Sequence, residues 1–172
     1  MTATTIVFLG LRALHVLVAG IWIGSTTFLA AVLMPAIDAA GPAGGQVMVR
    51  LSTRNNTYMT GLGAATILSG IYLLWRFTGG FDGGVLATHA GWAFSIGGAA
   101  GILAGFVGAI IGRTAGTLVE TGGALAKAAD DAARQALGRQ LAELRARMAR
   151  LSRIVISLQA VALLLMAVGH YI

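Results

Sequence analysis

The sequence predicts an all-α fold: a four-helix transmembrane bundle, with a cytoplasmic helical extension between helices three and four. Three observations predict it. The 172 residues are 57% hydrophobic and only 10% charged, where a soluble domain carries about a quarter charged residues. Four apolar runs are long enough to cross the ~30 Å hydrocarbon core at 1.5 Å per residue. The basic residues are gathered in the loops between those runs. So little polar surface cannot coat a water-soluble globule, and the whole chain, 1–172, reads as a single domain.

The first predicted helix, residues 6–34, is longer than a span requires, so it tilts or projects at one end. The second covers 58–77, the third 91–111 and the fourth 154–172. Arg50 and Arg54 lie between helices one and two. Arg113, Lys127, Arg134, Arg139, Arg145, Arg147, Arg150 and Arg153 lie between helices three and four. The turn between helices two and three has no basic residue and one acid, Asp82. The positive-inside rule then places the two basic loops in the cytoplasm and both termini outside. The expected location is a bacterial inner membrane, crossed several times.

The glycine-rich turn Thr78–Gly84 lacks a lysine and a following soluble helix, so it reads as a flexible link and not a phosphate loop. The segment 114–153 is different. From Ala128 onward it is rich in helix formers. Leu137, Leu141, Leu144, Met148 and Leu151 recur at four-three-four-three spacing and make one apolar stripe, with the arginines mostly off it. Helix four therefore begins in the cytoplasm and runs outward without a break. Its stripe has three candidate partners: an extension of helix three, another protomer in a homo-oligomer, or anionic lipid. Packing within the chain is the default expectation.

Helix three carries Gly97, Gly101 and Gly105 at four-residue steps, then Gly108 and Gly112; helix one repeats the spacing at Gly20 and Gly24. Such faces let helices approach closely, and a flat cofactor could lie on one of them.

No cysteine is present. That excludes disulfides, iron–sulfur clusters, thiolate zinc sites, cysteine nucleophiles and c-type haem attachment. The net charge of +6 sits beside the membrane and sets topology, so nucleic acid is not an expected partner. No basic segment precedes the first apolar run, which is therefore expected to remain as a helix and not be cleaved as a signal peptide.

The polar residues inside the apolar runs point to a site. Arg12, His15 and Trp22 share one side of helix one, being three and seven residues apart. Ionisable groups in a membrane helix are costly unless paired or ligated. Counting about twenty residues from each cytoplasmic helix end places His15, His89 and His170 at the outer end of the bundle, with Arg12 and Arg76. Trp75, Trp92 and Tyr171 fall there too, as an interfacial aromatic belt would. Gln159, three turns below His170 on nearly the same face, is an amide that should point into the bundle. Three imidazoles suit copper or zinc. Haem b needs one or two axial histidines and cations for its propionates, which Arg12 and Arg76 could supply. The arginines and the glycine faces favour haem.

The stretch Ala13-Leu14-His15, six residues, Trp22-Ile23-Gly24, then Phe28 and Met34-Pro35-Ala36, resembles the superfamily of small bacterial membrane proteins that includes the CopD-like domain and the HemJ-type protoporphyrinogen oxidases. Arg12-Ala13-Leu14-His15 is similar to the basic-Ala-Leu-His run of the HemJ type, and the likeness extends weakly to Ser69-Gly70 in the second helix. The resemblance implies a four-helix membrane fold with His15 as a haem or metal ligand.

The expected function is that of a small b-type cytochrome, passing electrons between a membrane quinone and an acceptor such as a periplasmic redox partner. His15 is the expected axial ligand, with His170 or His89 opposite, and Arg12, Arg76 and Trp22 complete the cofactor site. The alternatives are a porphyrinogen oxidase of HemJ type, and a CopD-type copper-binding or copper-transport protein using the three histidines. Met34, Met48, Met59, Met148 and Met166 are scattered, which weighs against copper transport.

Overall fold

The computed structural model describes residues 3–172, without the side chains of residues 3, 42, 52 and 53. Helix α1 (Ala3–Phe28) passes through a π-turn (Leu29–Leu33) into α2 (Met34–Ala39). Helix α3 is Pro42–Phe77, the short α4 is Gly83–Leu86, α5 is His89–Lys127 and α6 is Asp131–Val168. Every described element is helical. Four segments, Thr4–Ala39, Arg54–Phe77, His89–Lys127 and Asp131–Val168, contain helices long and apolar enough to cross a membrane.

The helices pack in chain order, α1 on α3, α3 on α5 and α5 on α6, and a lighter contact of α1 with α6 closes the bundle. Consecutive long helices run antiparallel, because each connection between them is short. Large apolar side chains lie outside: Leu68, Phe106 and Leu164 are 68%, 67% and 64% exposed. Inside the Phe77 half are small residues, Ala93, Gly97, Ala100 and Ala104, and the amide of Gln159. This inverts the usual soluble arrangement.

The glycines divide by role. A methyl at Gly97 would meet the Ala162 carbonyl at 3.4 Å, so α5 and α6 approach backbone to backbone there. Gly105 receives Ile67, and Gly112 receives Asn56 of α3. Gly20, Gly24, Gly98, Gly101 and Gly108 face open space. The four-residue spacing therefore marks packing at some positions only.

Two elements are longer than the sequence suggests. Helix α3 begins at Pro42, not near Tyr58. Gly41 takes the left-handed φ of 57° and Pro42 opens the helix, a start whose signal is chemical and not hydrophobic. Residues 42–57 are polar enough to hide their helix, yet Met48 and Leu51, three apart, seat one face on the core. That core lies at the far end of the bundle and joins Ile37, Met48, Leu118, Leu141 and Met148. Helix α5 likewise continues to Lys127, so the α6 stripe packs within the same chain. Met148→Ala should lower stability by about 2–5 kcal/mol, read as the unfolding midpoint in detergent.

The Thr78–Gly84 link is a hydrogen-bonded turn. Buried Thr78 donates its hydroxyl to the Leu74 carbonyl at 2.9 Å and accepts the Phe81 N–H at 2.8 Å. Gly79 and Gly80 hold φ of 66° and 99°, so these two glycines serve backbone geometry. Asp82 caps α4, Thr88 caps α5 and Asp130 caps α6, each by accepting a backbone N–H three residues on.

Candidate functional site

The site grows from the seam between α1 and α3. His15 lies against Gly70, where an added methyl would stand 3.0 Å from His15 Cε1. Trp22 lies against Gly63, where it would stand 3.2 Å from Trp22 Cζ2. Seven residues separate each pair on both helices, so the two bulky rings fill two glycine gaps in one antiparallel register. Both rings are buried, at 8% and 6% exposure.

The hydrogen bonds fix the imidazole. Ser69 Oγ donates to the Ala65 carbonyl at 2.6 Å, with the Thr66 carbonyl at 3.1 Å. A hydroxyl has one proton, so toward His15, 2.9 Å away, it accepts. With the Ser69 proton on the Ala65 carbonyl, the tautomer assigned to satisfy both groups carries its hydrogen on Nδ1 and leaves Nε2 its lone pair. An imidazole held through one nitrogen, with the other basic, is the form that ligates a metal.

Further along the interior, Thr26 Oγ1 donates to the Trp22 carbonyl at 2.8 Å and receives Gln159 Nε2 at 3.4 Å. Gln159 is 2% exposed and does point into the bundle. Gln159 Oε1, Thr66 Oγ1 and Ser95 Oγ are buried without a hydrogen-bond partner among the described residues. An unpartnered buried amide oxygen costs about 1–3 kcal/mol. Gln159→Leu should therefore raise stability by about 1 kcal/mol in a thermal melt. A fall instead would mark that oxygen as holding a polar partner.

The other expected site residues lie elsewhere. Arg12 is exposed on the flank of α1, above a shallow groove lined by Leu9, Ala13, Val16 and Leu17, and does not join His15 and Trp22 in the seam. Arg76 is exposed near the end of α3. The seam register sets Arg12 opposite Leu73 and Arg76 opposite Leu9, so both stand beyond His15 toward the Phe77 end. His89 is exposed as the first residue of α5. His170 follows α6, its exposed ring edge-on to Phe94 at 5.1 Å, and Phe94 in turn is edge-on to Phe77 at 5.1 Å.

The three histidines are thus not gathered at one depth. His15 faces Gly70, seven residues before Phe77, which is about 10 Å along the axis from the level of His170. Among the described residues no three His, Asp or Glu side chains are placed to hold a metal ion. The triad expected for copper is not assembled, and neither His170 nor His89 lies across from His15. Counting from helix ends did not anticipate this, because α1 passes into a π-turn and α2 and is shifted along α3 by the seam register.

No family model, no curated protein and no solved structure matches this chain.

The geometry gives the first-helix residues His15 and Trp22 a physical role. The His-x6-Trp spacing is one half of a helix–helix seam. Its other half, Gly63-x6-Gly70, carries the same seven-residue spacing in the sequence, and that match was the available signal for Gly63, Ser69 and Gly70.

A haem at His15 fits in part. Gly70 leaves room for the imidazole, and Arg12 and Arg76 are exposed on the Phe77 side of it. A second histidine ligand is not in place.

Proposed function

We propose that this protein is a multi-pass protein of a bacterial inner membrane that binds haem b through His15 and transfers electrons near the outer face. The observation that supports the reading is the Ala65–Ser69–His15 hydrogen-bond chain, which holds one imidazole nitrogen inside an apolar bundle. A buried imidazole with one nitrogen committed and the other basic has a use as a ligand.

The membrane placement is supported by the four apolar helices and by the large side chains on the outside. The basic far end then faces the cytoplasm, and both termini face outward. Haem, when bound, supplies one-electron chemistry at its iron. The chain's residues do the rest. Ser69 orients the ring and raises its basicity by accepting Nδ1–H. Arg12 and Arg76 offset carboxylate charge on the outer side. The apolar wall of α1 and α3 keeps water from the ligand. Quinone within the membrane and an acceptor outside are the partners that this placement serves.

The test is the absorption spectrum of protein purified from haem-replete membranes, oxidised and reduced. A Soret band with sharp reduced α and β bands is expected. A featureless spectrum would overturn the reading.

A further inference from the structure

We propose that the cleft between the Pro35 turn and α6 holds one acidic phospholipid. An acyl chain lies along Ala30, Ala31 and Met34, and the phosphate sits between Arg145 and Arg153. The inference rests on the membrane placement above and not on haem.

The cleft has a local cause. Pro35 has no N–H to give, so the helix cannot keep its regular ladder through this turn. Met34 N–H instead bonds the Leu29 carbonyl five residues back, and the helix widens into a π-turn over Leu29–Leu33. The small residues Ala30 and Ala31 face α6 across the gap, and a cleft of about 380 Å³ remains. Its floor is apolar, with Met34, Met148 and Ile156 among its lining residues.

Its rim is cationic. Arg145 Nε approaches Asp38 Oδ1 at 3.6 Å, a loose pair between half-exposed side chains, and among the described residues its terminal nitrogens have no hydrogen bond. Arg153 commits Nε to the Ala149 carbonyl at 3.3 Å, and its two terminal nitrogens have no partner among the described residues. Asp38 is the one carboxylate in the cleft, against two guanidinium groups. Around it, residues 113–153 hold eight basic residues and four acidic ones.

Position selects the ligand class. Arg153 is the last charged residue of α6, and from Ile154 to Val168 the helix has none. The cationic rim therefore lies where α6 enters hydrocarbon, and the apolar floor continues inward from it. A ligand with an anionic head and an alkyl tail matches both parts at that depth. A nucleotide or free phosphate matches only the rim.

Native mass spectrometry of the detergent-purified chain tests this with dioleoylphosphatidylglycerol and, separately, dioleoylphosphatidylcholine. One phosphatidylglycerol should be retained in preference to phosphatidylcholine, and inorganic phosphate should not displace it. Arg145→Gln with Arg153→Gln should weaken retention roughly thirtyfold. Arg147→Gln with Arg150→Gln removes equal charge from another side of α6 and should leave retention intact. Ala31→Trp fills the floor with the charges kept and should also abolish retention. Equal loss in both arginine pairs would overturn the site, as would equal retention of the two lipids. A chain that stays in the aqueous fraction without detergent would overturn the membrane placement instead. Haem content is read separately by absorbance.

Discussion

His15→Ala is expected to abolish the Soret band that the proposed haem would give, while the chain remains helical and in the membrane fraction. The effect is expected to be complete, because neither His89 nor His170 stands near enough to replace the missing ligand. His89→Ala and His170→Ala should retain the band. Ser69→Ala separates ligation from packing. It removes the acceptor for Nδ1–H and changes little volume, so haem should still bind, with lower occupancy and a shifted reduction potential. Were His15→Ala to keep its haem, the seam would be structural only. Circular dichroism and the unfolding midpoint guard against the trivial outcome, since a buried imidazole replaced by a methyl leaves a void beside Gly70.

Gly70→Leu should force α1 off α3, at a cost of about 3 kcal/mol. The first added carbon already meets His15 Cε1 at 3.0 Å, and the rest of the side chain has nowhere to go in a buried seam. Gly20→Leu, on the same bundle, should do little, because a side chain there enters open space. The absence of native cysteine permits a direct measurement. Leu11→Cys with Leu74→Cys places one thiol on each helix at the register set by His15–Gly70 and Trp22–Gly63. Oxidation should cross-link the pair in the parent chain and fail in the Gly70→Leu background. Efficient cross-linking in that background would show that the rings do not hold the seam. Haem occupancy should fall with the seam, as it does in Ser69→Ala, because Ser69 travels with α3 and His15 with α1.

The two experiments probe one interface from opposite sides. In the first the ligand leaves and the helices stay; in the second the helices part and the ligand loses its orienting partner. If haem depends on both, binding and packing share the His15–Gly70 contact. If it depends on His15 alone, the serine relay is a local adornment and the ligand is oriented by other means.

Much of this was legible in the sequence because membrane helices obey simple length and polarity limits. Four apolar runs, the stripe from Leu137 to Leu151 and the inward direction of Gln159 follow from spacing and from the cost of exposing polar groups to hydrocarbon. His15 stood out for the same reason. The start of α3 did not, because Gln46, Arg50 and Arg54 mask a helix that only the far-end core explains. The order in the Thr78–Gly84 turn did not either, since glycine composition is the same for a loose link and for left-handed turn geometry.

Composition and periodicity thus determined the class of fold, the helices and the one ionisable residue most in need of a partner. Tertiary structure alone decided what those residues meet. It set His15 against Ser69 and Gly70, moved Arg12 to an open flank, and kept His170 about two turns away and His89 farther still. The physical reason is that spacing along a helix fixes which face a residue shares. The depth and neighbour of that face depend on how one helix is shifted and tilted against the next, and here two glycines seven residues apart set that shift.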